Sequence, residues 1–230
     1  MRILISDTNW TTAALARDLR AAGFFVTEAN DGEELIEFAL NGMQDAILFD
    51  LDLPDMKGAD VLRSLRAILP HTPICTTGAK VDGTLRVKLM DAGADDVFAR
   101  DTDGALIAAH LRAFVRRTNG FATPLLRNGS LEIDLSAQSV SIQGTPLHLT
   151  RLEYELIEML SLRSGILVTR EMIMSQLYAW EDEPDPKIID VYICRIRSKM
   201  AALGAADDLI HTSFALGYRI DLPAPAAMAA

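Results

Sequence analysis

Four side chains fall where a parallel sheet would bring them together. Short apolar runs place Asp7 just after a first strand, Asp50 at the end of a third, Thr77 just after a fourth and Arg100 just after a fifth. Ligands of a doubly wound sheet sit at the carboxyl ends of its strands, so the residues closing each strand are read as one site. A carboxylate nucleophile, a hydroxyl, a cation and a further acid able to hold magnesium are the set that an aspartyl phosphate requires. The cation and the metal offset the charge that builds on the phosphoryl oxygens. A second concentration of chemistry lies near the other end of the chain. Lys187, Arg195, Arg197 and Lys199 stand against the single acid Asp190 in one helical pattern, a local excess of three positive charges. Long basic side chains on such a helix can reach the phosphates and guanine edges of a major groove.

The elements that must position these groups follow from periodicity. Strands are expected at Ile3 to Ser6, Phe24 to Glu28, Ala46 to Phe49, Pro73 to Thr76 and Asp96 to Ala99. They alternate with amphipathic helices at Thr12 to Ala22, Glu33 to Leu40, Ala59 to Leu69, Thr84 to Ala92 and Gly104 to Arg116, which is the signature of a five-stranded parallel α/β sheet. Asp31 with Glu34 reads as a capping box. The pattern breaks after Arg117, where residues 118–124 read as a linker containing Gly120 and Pro124. Residues 125–222 then read as an α+β domain: a small antiparallel sheet, three helices and a terminal hairpin around Gly217. The helices open at the capping box Thr150/Glu153, at Thr169, and at Asp185 with Pro186. In the last of them Ile189, Ile193, Ile196 and Met200 should face the core. The outer side is then left to Lys187, Asp190, Val191, Cys194, Arg195 and Ser198. Residues 223–230 read as a frayed Pro/Ala-rich tail.

Composition narrows the classes. The 230 residues are 50% hydrophobic and 23% charged, which excludes disordered, collagenous and disulfide-rich chains. Cys75 and Cys194 lie inside regular patterns, the apolar stretches are too short to span a bilayer, and a cytoplasmic location is expected with no membrane partner. His71, His110, His148 and His211 have neither metal-ligand nor triad spacing, so no turnover enzyme is expected. The formal charge of -10 opposes bulk coating of nucleic acid. Residues 121–230 carry nine bases and fourteen acids, so even that half is -5. Nonspecific affinity for DNA should be modest, leaving specificity to the basic helix and to pairing on adjacent half-sites.

Two motifs, Asp50-Leu-Asp52-Leu-Pro-Asp55-Met-Lys-Gly58 and Gly93-Ala-Asp95-Asp96, resemble the receiver domain of two-component response regulators over residues 1–117. The resemblance implies a CheY-like, flavodoxin-like fold, Asp50 as phosphoacceptor and Thr77 as switch hydroxyl. It also implies a magnesium site from Asp7, Asp50 and the backbone carbonyl of Asp52, and a sensor kinase or phosphotransfer protein as partner. Three departures mark the receiver as degenerate. The usual pair of acids after the first strand is Asp7-Thr8, the usual Lys-Pro is Arg100-Asp101, and the aromatic switch position is Val97. Loss of the acid at Thr8 should weaken magnesium, and a planar guanidinium does not replace an ammonium isosterically. The expectation is that Arg100 pairs with Asp50 or Asp7 in the absence of phosphate.

The second domain resembles the winged helix-turn-helix effector of the OmpR/PhoB class. The run Lys187-Ile-Ile-Asp190-Val191-Tyr192-Ile-Cys194-Arg195-Ile-Arg197-Ser198-Lys199, with His148-Leu-Thr150, is similar to the CtrA-like cell-cycle subgroup. This implies a transcriptional regulator that binds promoter DNA through a recognition helix at 186–200 and through a wing carrying Arg219. It also implies a loop at 178–185 that can touch RNA polymerase. Family members pair through ion pairs on a receiver face where this chain has Arg86 and Asp96 but Leu106 and His110 at the positions of their usual partners, so a homodimer is implied with the Arg86 pair lost and an Asp96/His110 pair open only to a charged imidazole. Two other readings stay open: a conventional regulator switched by phosphorylation of Asp50, and a protein-interaction adaptor without DNA binding.

Overall fold

The computed structural model describes residues 1–178, 184–205 and 209–221. The chain divides into two compact units, Met1–Thr118 and Asn119–Ala230.

In the first unit, β1 (Arg2–Ser6), β2 (Phe25–Ala29), β3 (Ala46–Asp50), β4 (Ile74–Gly78) and β5 (Asp96–Ala99) alternate with five helices. These are α1 (Trp10–Ala21), α2 (Gly32–Asn41), α3 (Gly58–Ile68), α4 (Gly83–Asp91) and α5 (Gly104–Thr118). The strands form one parallel sheet in the order β2-β1-β3-β4-β5. Every residue of β1, β3 and β4 is buried. Central parallel strands are covered on both faces, which is why they read as unbroken apolar runs. The order reverses between β1 and β3, so the crevice beyond their carboxyl ends is the topological switch point. Asp50 closes β3 there, and Asp7 follows β1. Strands β3 and β4 continue past their apolar runs because the ladder pairs Asp50 with Thr77.

The helix starts show which local signals hold. Asn9 caps α1, accepting from the Thr11 and Thr12 amides while the Thr12 hydroxyl takes the Asn9 N–H. The Asp31/Glu34 box is only half formed. Asp31 accepts from the Glu34 amide at 2.8 Å, but the Glu34 carboxylate reaches one residue further back, to the Asn30 amide at 2.6 Å.

The second unit opens with β6 (Leu125–Asn128), β7 (Leu131–Asp134), β8 (Ser139–Ile142) and β9 (Thr145–Pro146), an antiparallel sheet in that order. Then come α6 (Arg151–Leu162), β10 (Val168–Thr169), α7 (Arg170–Tyr178), α8 (Ile188–Ala202), β11 (His211–Ser213) and β12 (Gly217–Arg219). The last strands make a separate sheet in the order β10-β12-β11. Strands of two residues such as β9 and β10 are too short to show alternation, and the sequence reading does not find them. The expected inner face of α8, Ile189, Ile193, Ile196 and Met200, is buried.

Three contacts tie this unit together. Thr150 and Glu153 form a complete capping box for α6, and the almost fully buried Glu153 carboxylate also takes the Lys199 ammonium at 2.6 Å. Burial opposes ionisation of Glu153, but Lys199 and the Thr150 amide outweigh it and hold the carboxyl below its ordinary range. Arg170, from α7, and the Tyr218 hydroxyl, from β12, both donate to Asp190 Oδ1 in the first turn of α8. The Arg170 guanidinium also lies 5.6 Å from the Tyr218 ring centroid. The Arg170 hydrogen bond, then that of Tyr218, lowers the Asp190 pKa. Gly217 completes the join: a Cβ there would lie 2.0 Å from the Val168 carbonyl oxygen, so only glycine lets β12 approach β10.

Two outcomes are expected. Lys199→Met leaves a buried carboxylate without its cation, so thermal or urea unfolding should show a loss of about 1–3 kcal/mol. Because Asp190 is depressed in the folded state, its contribution is full above the unfolded carboxylate value of about 3.9 and is lost as pH falls through the lower folded value. Asp190→Asn should therefore flatten the acid decline of Tm below about pH 4 relative to the parent chain, a difference readable by calorimetry across pH.

Candidate phosphoacceptor pocket and nucleic-acid interface

The pocket at the carboxyl end of the sheet is closed by an ion pair. Asp50 is fully buried. Arg100 grips it along one edge of the guanidinium, Nε donating to Oδ2 at 2.8 Å and Nη2 to Oδ1 at 2.6 Å. The same Nη2 donates to Asp52 Oδ2 at 2.6 Å. The Thr77 hydroxyl donates to Asp50 Oδ2 at 3.1 Å, and the Asp52 amide to Asp50 Oδ1 at 2.9 Å. The Asp50 amide is in turn held by the Ser6 hydroxyl at 2.9 Å, a positioning contact with no signal in the sequence. Hydrogen bonds to Asp50 come first among the influences that drive the Arg100 pKa still higher, so this cation does not titrate away. Bidentate guanidinium-carboxylate pairs are short, strong and planar, and both nucleophile oxygens of Asp50 are committed to one.

Other members of the expected set are placed differently. Arg100 reaches Asp50 and Asp52, not Asp7. The role implied for Asp52 was a backbone carbonyl facing metal, whereas its carboxylate is the group engaged here. Thr8 lies beside the α1 cap, where its amide donates to Thr12 Oγ1 at 3.2 Å. Val97 is wholly buried in the apolar core with Leu4, Phe49 and Leu89. Asp55 and Asp95 have structural duties. Asp55 accepts from the Gly32 and Glu33 amides at the start of α2, and Asp95 takes Arg66 at 2.6 Å and the Ile74 amide at 2.7 Å. Gly58 lets α3 start against the Leu51 backbone, since a Cβ there would lie 2.7 Å from the Leu51 oxygen.

The residues present do not fit the magnesium ion that the fold family implies. A hydroxyl stands at Thr8 where a hard divalent cation needs a carboxylate, and the Asp50 oxygens face a guanidinium instead of an open coordination position. Among the described residues no cluster of three or more histidine, cysteine or acidic side chains is arranged to hold a metal.

On the face formed by α4, β5 and α5, the polar residues turn to their own chain. Arg86 donates to the Val97 carbonyl oxygen, and His110 Nδ1 lies 3.0 Å from Asp96 Oδ2, its ring packed edge-on to Phe98. Leu106 and Val87 are more than half exposed.

In the second unit, α8 presents Lys187, Val191, Cys194, Arg195 and Ser198 to solvent. A groove of about 840 Å³ runs between α8 and the β11–β12 turn, with Lys187, Cys194, Arg197, Thr212 and Phe214 among its walls. Arg197 donates to the Ile210 carbonyl oxygen at 2.6 Å and to Thr212 Oγ1 at 2.7 Å. Both partners are uncharged, so its positive charge still acts on the groove. Tyr192 is half-buried, its hydroxyl 2.6 Å from that of Tyr178, and burial first, then this contact, raises the Tyr178 pKa.

Two of the residues expected to contact DNA are engaged within the chain. The Lys199 ammonium is held by Glu153, because the helical spacing that put it among basic residues also turns it toward the α6 cap. The Arg219 guanidinium is engaged by Asp221, with Nη2 to Oδ2 at 3.0 Å and Nε to Oδ1 at 2.8 Å, in a pair that stays half-exposed. Sequence reading missed Arg170, Tyr218, Thr212 and Phe214. Only Phe214, a large apolar residue in a turn, carried a local signal. Of the loop expected to touch RNA polymerase, residues 179–183 lie outside the described residues, as does the tail at 223–230. No helix among the described residues is long and apolar enough to cross a membrane.

Comparison with known proteins agrees with this division. Residues 3–112 match the family described as response regulator receiver domain, and residues 144–220 match transcriptional regulatory protein, C terminal. The chain is 38% identical over 216 residues to the cell cycle transcriptional regulator CtrA of Caulobacter vibrioides, covering 94% of each. It is 36% identical over 221 residues to the cell cycle response regulator CtrA of Brucella anthropi, covering 96% of this chain and 95% of that one. Among solved structures it is similar to response regulator DrrB, a Thermotoga maritima OmpR/PhoB homologue, at 25% identity and a TM-score of 0.46, covering 96% of this chain and 98% of that one. With a receiver unit that sets Asp50 and Thr77 at the carboxyl ends of β3 and β4, a winged unit carrying α8, and relatives matched along nearly the whole length, the chain belongs to the CtrA-like DNA-binding response regulators of the OmpR/PhoB type.

Proposed function

We propose that this regulator binds promoter DNA under receiver control that is weakly dependent on phosphorylation or independent of it. The observation that carries this reading is the bidentate Arg100–Asp50 pair. A phosphoryl donor must approach an Asp50 oxygen in line, and both oxygens point at a guanidinium. Opening the pair breaks two charge-assisted hydrogen bonds worth about 1.5–3 kcal/mol each, which slows phosphoryl transfer by about 100- to 10,000-fold. The pair also does part of what phosphate does elsewhere, since Arg100 and the Thr77 hydroxyl already converge on Asp50. A buried Val97 has no aromatic ring to swing outward.

Promoter contact is assigned to Lys187, Val191, Cys194, Arg195, Arg197 and Ser198 on α8, with Tyr192 supporting the helix from its half-buried side. Homodimerisation is assigned to the α4-β5-α5 face, where exposed Val87 and Leu106 favour apolar contact over ion pairing. A sensor kinase or phosphotransfer protein and RNA polymerase remain partners of the proposal, as does a cytoplasmic site of action. Magnesium has no part in it.

The deciding experiment is incubation with acetyl phosphate and magnesium, read by intact mass. The parent chain should gain little phosphate, and a Thr8→Asp/Arg100→Lys chain should gain one phosphoryl group at Asp50 with release of acetate. Rapid stoichiometric phosphorylation of the parent chain would falsify the proposal in favour of conventional control. For the DNA face, Arg195→Ala should weaken binding to promoter fragments recovered by genomic footprinting by about 1–3 kcal/mol. An unchanged mobility-shift titration removes Arg195 from the interface, and failure to recover any discrete site would favour an adaptor.

A further inference from the structure

One acid at the mouth of the phosphoacceptor pocket is held in place although water surrounds it. The Asp52 side chain is 71% exposed, yet its backbone is fixed twice. Its amide donates to Asp50 Oδ1 at 2.9 Å, and it pairs with Lys57 in an antiparallel bridge that closes the loop between β3 and α3. Gly58 then seats α3 against the Leu51 backbone. The loop therefore delivers the Asp52 carboxylate to a set position at the edge of the pocket.

There it meets Arg100. The Arg100 amide donates to the Gly78 carbonyl oxygen at 3.0 Å, which fixes the root of the side chain just beyond β5. Nη2 carries two protons, and this nitrogen has a carboxylate oxygen at 2.6 Å on either side, Asp50 Oδ1 within the fold and Asp52 Oδ2 toward solvent. Nε holds the other Asp50 oxygen at 2.8 Å. Swinging the guanidinium off Asp50 and away from the pocket therefore breaks three hydrogen bonds, one of which lies in water. Both acids raise the Arg100 pKa, Asp50 more than Asp52, the order expected when one is buried and the other screened by solvent.

We propose that Asp52 is a positioning residue, the outer anchor of a latch whose inner anchor is Asp50. It keeps Arg100 over the phosphoacceptor oxygens. Of the two acids only Asp52 is open to solvent, so it is the point from which the latch is released. Neutralising its carboxylate, or capturing it with a cation from outside, frees one Nη2 proton and lets the guanidinium leave Asp50 more often. The inference rests on the reading that Arg100 closes the pocket, and it deepens that reading by naming the group that regulates the closure.

An exposed acid beside a nucleophile also repels an anionic phosphodonor, with or without Arg100. The two effects separate because only the latch acts through the guanidinium, so a double-mutant cycle with Arg100 isolates it. Screening by water limits what an exposed ion pair contributes, and loss of the outer anchor changes the rate by about two- to fivefold.

The full chain is incubated with acetyl phosphate and magnesium, and phosphoryl gain is timed by intact mass. In the reaction that is read, an Asp50 oxygen bonds to phosphorus as the bond from phosphorus to the acetyl oxygen breaks, and acetate leaves with its electron pair. Asp52→Asn should react about two- to fivefold faster than the parent. Asp52→Glu, which keeps the carboxylate, should return to the parent rate. In an Arg100→Gln chain, adding Asp52→Asn should leave the rate unchanged. A second readout does not depend on activity: exchange of the Arg100 Nε proton with water, followed by nuclear magnetic resonance of isotope-labelled arginine. It should quicken in Asp52→Asn and slow again in Asp52→Glu, the signal being assigned by its loss in Arg100→Gln. Equal acceleration by Asp52→Asn with and without Arg100 makes Asp52 a repeller of the donor and overturns the latch. Nε exchange unchanged in Asp52→Asn overturns it too, and in either case a slowly reacting parent chain leaves the closed pocket standing. Rapid stoichiometric phosphorylation of the parent overturns the closed pocket and the latch together.

Discussion

A single buried carboxylate organises the receiver unit. Asp50 has no exposure to water, and a charge in that position must be paired, because leaving it alone would cost several kcal/mol. In this chain the compensation comes from Arg100, aided by Thr77 and the Asp52 amide. The same contacts that make Asp50 tolerable inside the fold occupy the oxygens through which it would act as a nucleophile. Stability and chemistry therefore compete for one pair of lone-pair sets, and under the proposed reading the departures at Thr8 and Arg100 act on the same pocket. Without the second acid there is less to attract a divalent cation, and without the cation a guanidinium can take the site.

The winged unit solves a different charge problem. Acids outnumber bases in that half of the chain, yet the surface around α8 is not uniformly acidic, because Asp190 is neutralised by Arg170 and Glu153 by Lys199. Some bases disappear from the interface by the same pairing, notably Lys199 and Arg219. What remains is a small set of cations with uncharged partners and an exposed apolar turn. Such a surface gives little nonspecific attraction and relies on shape and a few contacts, in keeping with the net acidity of the chain.

Much of this was legible in the chain before folding. The alternation of apolar runs and amphipathic stretches predicted all the strands and helices of the first unit in order, because buried parallel strands have no polar face to confuse the pattern. The four residues Asp7, Asp50, Thr77 and Arg100 could be grouped because strand ends in such sheets converge by topology. The inner face of α8 followed from helical spacing. Less legible were the short strands β9 and β10, the shifted half of the Asp31/Glu34 box, and the shared duty of Lys199, where one residue's turn around a helix decides its partner.

By itself, then, the sequence determined element order, the two-part division, the cluster at the sheet's carboxyl edge and the basic outer side of one helix. These depend on periodicities within windows of a few residues and on a general rule of sheet topology. Only the tertiary structure decided which charges remain available. Strand-end topology narrowed Arg100 to Asp50 or Asp7, but its choice of Asp50 across fifty positions, and the meeting of Lys199 with Glu153 across forty-six, are encoded by no local pattern. They are set by where the packed core delivers each side chain, and by the cost of leaving a buried carboxylate without a partner.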